Sequence, residues 1–507
     1  MLNKKSVFYS TLLLSISGLI LQILSFLYRI VISRLTGPEG MAIYQLIWPV
    51  YGIITAVSLI GLTTASTKIT AERAAEGNYN TSPLMRVCLR IFLILFSACA
   101  AFVFIFSGWI SETVLGDART QMSLLILLPA IFLTGFENMF KSVFHGIKNV
   151  FPTVISETIE LATRILSGAI LLLLFGSDDA GLNCALIIAG MLISEVVSTA
   201  IIGTFYIKKF DKKNKKTKEK GLNNEVSAFA LPIALSGLLT TVIGSATLLM
   251  IPRLLIAYGL PRQDAYNSFG ILMGMVSPFL MLPMIFIGAL ACNMLPKIAE
   301  LHKLNHNGDV KRKISLSIQT TSLFAMPITA VIITIGPMLC SIIFGQYPDK
   351  NFFASLALVT IFSYYQIVFG NILNALNKQK SCAIIYTAAG IIQLIATCLL
   401  MPSYGFSGYI YGILICSSFS FITSLYIIKK NTKFKLHISR LFIIPVILSI
   451  ITGICAKWLY ILFININITQ LPAIIYTIIA SAIIYTILLS ITGIKPVKYI
   501  KSLFIIE

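Results

Sequence analysis

The chain has 507 residues, of which 57% are hydrophobic and only 11% charged, against roughly 25% charged in an ordinary soluble domain. So little polar surface excludes a soluble globule of this size. The formal net charge of +20 would suit a nucleic-acid partner, but the basic residues fall between apolar runs, the distribution of a membrane protein, and that excludes nucleic acid.

Apolar runs of roughly 20 residues, each long enough to cross a bilayer core, recur from end to end. They predict fourteen helices near 7–28, 41–66, 84–107, 120–143, 152–175, 181–207, 226–250, 264–290, 314–336, 352–374, 380–401, 406–428, 441–463 and 468–491. Lys4 and Lys5 precede the first run, but no small-residue cleavage site follows it, so it reads as an uncleaved helix and not a signal peptide. With the N-terminus cytoplasmic, every even-numbered connection is cytoplasmic as well. Those connections and the tails hold most of the 39 lysines and arginines, including Arg86, Lys141 and Lys380 at helix ends. The longest basic run, Lys208 to Lys220, lies between helices six and seven; Lys429, Lys430, Lys433, Lys435 and Arg440 follow helix twelve. This positive-inside pattern predicts a multi-pass protein of the cell membrane with both termini cytoplasmic, its basic loops resting on anionic headgroups. The nine cysteines show no paired spacing and read as small apolar packing residues.

An internal repeat organises the chain. One shift of 229 residues carries Pro49 onto Pro278, Lys68 onto Lys297, and Phe140 and Val143 onto Phe369 and Ile372. Helices six and twelve also close alike, with Tyr206-Ile207-Lys208-Lys209 and Tyr426-Ile427-Ile428-Lys429-Lys430. The expected fold is therefore an all-α polytopic bundle of two parallel six-helix lobes, 1–207 and 226–428. A basic linker at 208–225 joins them, and a basic connection with two extra helices occupies 429–507. Six is even, so both lobes enter the membrane in the same sense. Parallel repeats of this kind place a substrate site between the halves and work by alternating access.

The search for covalent chemistry returns absences. No phosphate-loop sequence is present, no nucleophile elbow stands out, and no cofactor is implied. Gly37-Pro38-Glu39-Gly40 reads as a turn between helices one and two. His145, His302, His306 and His437 lack metal-ligand spacing, and no metal site is expected from them.

What remains is charge where charge is expensive. A charged side chain at the centre of a membrane helix costs about 2.5–3.5 kcal/mol on the insertion scale and usually faces a cavity. Arg164 lies in the middle of helix five, after Glu157 and Glu160, and Glu160 is four residues before it, close enough to pair. Glu137 in helix four and Glu195 in helix six are single acids in apolar surroundings. These five are candidates for coupling or gating, with proton or sodium as the ion; the alternative is neutralisation or packing. Arg29 and Arg34 end helix one and Arg253 ends helix seven, all at external ends where the positive-inside rule disfavours cations. A guanidinium suits bidentate binding of phosphate or pyrophosphate, so these three are candidate pyrophosphate ligands, with interfacial anchoring as the alternative. Pro49, Pro129, Pro232, Pro278, Pro283 and Pro327 lie inside predicted helices and permit bending.

The run Leu27-Tyr28-Arg29-Ile30-Val31-Ile32-Ser33-Arg34-Leu35-Thr36-Gly37-Pro38-Glu39-Gly40, followed by Tyr44-Gln45 and Lys68-Ile69-Thr70-Ala71-Glu72, resembles the start of the multidrug/oligosaccharidyl-lipid/polysaccharide flippase superfamily. Within it the sequence is most similar to the stage V sporulation protein B and polysaccharide biosynthesis flippases. The resemblance implies a V-shaped bundle, not an enzyme, that flips an undecaprenyl-pyrophosphate-linked sugar for cell-wall or spore-cortex peptidoglycan. The lipid II flippase branch of the superfamily has an essential arginine near the outer end of helix one, and Arg29 is the position that resembles it. The lipid II branch adds an acid after that arginine and an arginine in helix two; here Ile30 follows Arg29, and 41–66 contains no arginine. Two other readings stay open: a proton- or sodium-coupled drug exporter using Glu137, Glu157 or Glu195, and a non-transport membrane scaffold for cortex enzymes.

Overall fold

The computed structural model describes residues 4–210, 221–434 and 437–493. Most of the expected 208–225 linker (211–220), Lys435, and 494–507 lie outside the described residues. Among the described residues every regular element is helical, and twelve helices are long and apolar enough to cross a membrane.

The difference from fourteen lies in joins and breaks. Helix α1, Lys4–Ser58, runs through the first two predicted segments. Only Gly37 departs from helical geometry inside it, at φ 66° and ψ −173°, a left-handed value that suits glycine. Pro38 then opens the second segment, where its missing N–H costs nothing. The expected turn is thus a one-residue kink. α2, Ile60–Ala75, continues after a second bend at Leu59. α3 is Ser82–Ile105, followed by the single turn α4, Ser107–Trp109, and a π-type turn, Ile110–Leu115. The next four helices are α5 (Gln121–Gly146), α6 (Phe151–Phe175), α7 (Ala180–Phe210) and α8 (Leu222–Ala257).

The predicted eighth helix is in pieces: α9 (Arg262–Phe269), a π-type stretch (Gly270–Val276), α10 (Ser277–Met281) and α11 (Met284–Lys303). Pro278 and Pro283 open the last two pieces, as expected of residues that cannot donate to the preceding turn. α12 (Asn307–Phe344), α13 (Lys350–Ala375), α14 (Gln379–Tyr404), α15 (Phe406–Thr432), α16 (Ile444–Asn465) and α17 (Gln470–Ile491) complete the chain.

The packing forms two compact units, Met1–Gly274 and Met275–Glu507. Large apolar side chains face outward on both: Ile105, Leu173 and Leu174 in the first, Leu399, Trp458 and Ile491 in the second. Lipid is the solvent for such a surface, and helices satisfy their own backbone there. In the first unit Phe92 of α3 meets Phe136 of α5 edge to face at 6.1 Å, and Phe96 of α3 meets Phe132 of α5 at 5.7 Å. In the second, Tyr365 and Phe369 of α13 meet Phe421 of α15 at 5.3 and 5.2 Å, and Tyr365 shares a 2.6 Å hydrogen bond with Ser322 of α12. The eight described cysteines are free, consistent with packing residues.

One crossing decides where the buried charges meet. α6 and α7 approach through Gly168 and Gly190, where a Cβ on Gly190 would lie 2.8 Å from the Gly168 Cα. Ser167 Oγ donates to the Gly190 carbonyl at 3.0 Å across the same contact. Small residues permit this approach in membranes, where packing drives helix association. Gly190→Val should therefore push the helices apart and destabilise the protein by about 1–3 kcal/mol. A lowered thermal midpoint of the purified variant would show this; an unchanged midpoint would mean that the crossing tolerates bulk.

Candidate functional site

The α6–α7 approach and the packing of α5 on α7 gather six ionisable side chains into one network. Glu137 and Lys141 of α5 are one turn apart, and Lys141 Nζ lies 2.7 Å from Glu137 Oε1. From there Lys141 reaches Glu157 at 3.3 Å and Glu160 at 3.6 Å, both on α6. Arg164, a turn beyond Glu160, pairs with Glu160 Oε1, with Glu195 Oε1 of α7 at 3.1 Å and with Ser194 Oγ at 3.2 Å. Ser198 of α7 donates to Glu137 Oε1. Helical spacing explains the geometry: 157, 160 and 164 share one face of α6, and 194, 195 and 198 share one face of α7.

Three of the six side chains are buried and three are partly so. Glu137 and Glu195 are each 2% exposed and Lys141 9%, whereas the Glu157 side chain keeps 34% of its surface. Glu137, Glu160 and Glu195 bring carboxylate oxygens within 4.8 Å of one another, against two cations. From the α1 side, Tyr51 interacts electrostatically with Glu160, Arg164 and Glu195, and Tyr28 and Tyr44 with Arg164.

The structure thus joins all five expected intramembrane charges and corrects three details. Glu137 and Glu195 are not isolated acids. Lys141, read from sequence as a cytoplasmic orientation signal, is a buried partner of three glutamates. A cluster able to hold a cation exists although no histidine or cysteine spacing announces it. Its ligands come from three helices, and spacing within one helix cannot reveal that.

The expected pyrophosphate arginines do not share one environment. The π-type turn Ile110–Leu115 ends at Gly116, in the left-handed region at φ 81°, and leaves carbonyls without helical partners. Arg253 Nη2, at the end of α8, donates to Thr113 O and to Val114 O, the latter at 2.7 Å. Arg262 and Tyr266 of α9 donate to Gly116 O at 2.8 and 2.9 Å. Beside this clasp, Arg119 bridges Asp117 and Glu39, each at 2.8 Å. Burial works to raise the Asp117 carboxyl, but hydrogen bonds from the Arg119 side chain and backbone outweigh it and hold the group below the usual carboxylate range. A lowered folded-state value stabilises the protein above the ordinary carboxylate pKa and is lost as pH falls through the lowered one. Asp117 therefore stays ionised at neutral pH. Arg29 is half-buried, with one long hydrogen bond from Nη1 to Met273 O at 3.4 Å. Arg34 is exposed.

Twelve helices long and apolar enough to cross a membrane, with a charge network buried between three of them, are the architecture of a multi-pass membrane protein. The chain belongs to the polysaccharide biosynthesis protein family, whose model matches residues 7–302. It is 23% identical over 424 residues to stage V sporulation protein B of Bacillus subtilis (strain 168), covering 80% of each chain. Among solved structures it is similar to the lipid II flippase MurJ in an inward closed conformation, with a TM-score of 0.73, 15% identity and coverage of 95% of this chain and 98% of that one. An inward-facing multidrug resistance MATE family transporter matches with a TM-score of 0.65 and 14% identity, covering 82% of this chain and 96% of that one.

Proposed function

We propose that this protein flips an undecaprenyl-pyrophosphate-linked sugar precursor, of the lipid II or polysaccharide-unit kind, across the cell membrane for cell-wall or spore-cortex peptidoglycan. The observation that carries the reading is an apolar groove in the second unit. It has a volume of about 420 Å³ and runs between α12, α16 and α17, with Phe324, Pro327, Val331, Ala482 and Tyr485 among its walls. A groove this size is in the range that takes a ligand, and its apolar lining suits a polyisoprenoid chain. The lipid II flippase among the relatives supports a lipid-linked cargo, and the stage V sporulation protein supports the spore setting.

For the charged end of the cargo, Arg29 is the leading ligand, because its guanidinium is only weakly engaged. Arg253 would have to exchange its backbone carbonyls for phosphate oxygens, and Arg34 stands outside as a first contact. In this reading the halves alternate access, both termini are cytoplasmic and the basic loops hold anionic lipid.

Narrowing the groove should slow transport. Ala482→Trp would displace the chain from part of the wall. Losing the burial of only two methylenes, at about 0.8 kcal/mol each, lowers affinity about tenfold. The function itself is tested by rescue of a bacterium depleted of its own lipid II flippase. Wild type should restore growth, and Ala482→Trp at matched membrane levels should restore it poorly.

The buried carboxylates favour a second reading, a cation-coupled drug exporter. Export of cationic dyes by wild type, lost in Glu137→Gln, would favour it; a flippase confers no dye resistance. A non-transport scaffold predicts instead that Arg29→Ala is silent.

A further inference from the structure

Two cations of the first unit stand at one end of an apolar groove that involves neither the charge network nor the clasp. The groove has a volume of about 300 Å³ and lies between the end of α1, α2, α3 and α8, with Gly61, Leu62, Ile91, Leu95, Ala234 and Leu238 among its walls. A close crossing forms its floor: a Cβ on Gly61 would lie 2.3 Å from the Ala230 carbonyl oxygen. Leu231 and Leu235 of the same lining are more than half exposed. They leave the groove open along one side, as an apolar surface that meets lipid can be.

The cations are level with one another. Lys68 is two turns from Gly61 on the same face of α2, and its Nζ rests 3.5 Å from the centre of the Phe229 ring of α8. Lys68 is seven residues from the end of α2 and Arg90 eight from the start of α3. The short 76–81 connection joins those two ends, so at 1.5 Å per residue both cations lie about 10–12 Å in from it. Arg90 is exposed and makes no ion pair among the described residues. A charge at that depth on an apolar helix costs free energy unless an opposite charge answers it. Besides the ring, Lys68 meets Glu72 at 3.8 Å, an exposed pair of a kind worth little. Folding does not demand the arginine: the 229-residue shift carries Arg90 onto Gln319, neutral and buried.

We propose that this groove binds one anionic phospholipid, with its phosphate on Arg90 and Lys68 and one acyl chain along the apolar walls. The guanidinium takes two phosphate oxygens and the ammonium a third, and the chain runs from there deeper into the membrane. In the orientation proposed above, the cations are at the cytoplasmic end, in the leaflet that carries anionic lipid. The lipid is a resident of the protein, held by other helices than those of the groove assigned to the cargo. Its binding does not depend on which cargo the protein carries.

The test uses the full-length protein, purified in detergent and offered phosphatidylglycerol or phosphatidylcholine with the same acyl chains. Native mass spectrometry counts the lipid retained. Wild type should hold one phosphatidylglycerol per chain, about tenfold more tightly than phosphatidylcholine. Arg90→Gln and Lys68→Gln should each weaken that retention about tenfold, and Ala234→Trp, which fills the groove, should weaken both lipids. Lys457→Gln, at another exposed cation of a membrane helix, should change nothing. Equal retention of the two lipids by wild type would overturn the proposal, whether or not the variants fold. Phosphatidylglycerol held as tightly by Arg90→Gln and Lys68→Gln as by wild type would do the same, by placing the lipid elsewhere. Displacement of phosphatidylglycerol by an equimolar undecaprenyl-pyrophosphate-linked sugar would make the groove a cargo site and end the phospholipid assignment.

Discussion

Arg164→Ala is expected to lower the stability of the protein by roughly 3–5 kcal/mol, the usual effect of removing one partner from a buried ion pair. Arg164 is the sole cation in contact with Glu195 among the described residues, and it pairs with Glu160 on the other side. Without it two carboxylates face apolar surroundings, with Lys141 left to serve the whole cluster. The double variant Arg164→Ala/Glu195→Gln should recover part of the loss, because the neutral amide no longer needs the guanidinium. Chemical denaturation of the two variants in the same detergent checks this. Additive effects would mean that Arg164 and Glu195 do not act on one another.

The second large effect is expected from Arg29, and it should be functional. Its one hydrogen bond, to Met273 O, is 3.4 Å long, at the outer limit of useful geometry. Arg29→Ala should therefore change stability by less than about 1 kcal/mol while abolishing transport of a pyrophosphate-linked cargo. Arg29→Lys should retain part of the activity, since an ammonium supplies the charge without the planar fork that engages two phosphate oxygens. Loss of folding in Arg29→Ala, or full activity in it, would remove Arg29 from the cargo site. Transport rate and thermal midpoint measured on the same preparation separate these outcomes.

These effects also mark how far the sequence could be read. The helical class followed from apolar runs, because each span is long and local. Glu160–Arg164 was visible for the same reason, the two residues being one turn apart. Lys141 was not: its position at a helix end matches an orientation signal, and its partners Glu157 and Glu160 are on another helix. Only the tertiary crossing at Gly168 and Gly190 brings α7 near enough for Glu195 to join, and no periodicity within α6 or α7 encodes that neighbour. Arg253 is a different case. An arginine at an external helix end suggested an anion ligand, yet its partners here are carbonyls released by a π-type turn, a device with no sequence signature beyond Gly116.

The most direct measurement of the central claim is transport by purified protein in liposomes. The cargo is an undecaprenyl-pyrophosphate-linked saccharide bearing a fluorophore on the sugar, read by a membrane-impermeant quencher. Wild type should expose the inner-leaflet pool to the quencher, and Arg29→Ala, reconstituted to the same density, should not. No transfer by correctly inserted wild type, or equal transfer by Arg29→Ala, would contradict an arginine-dependent flippase of lipid-linked sugar.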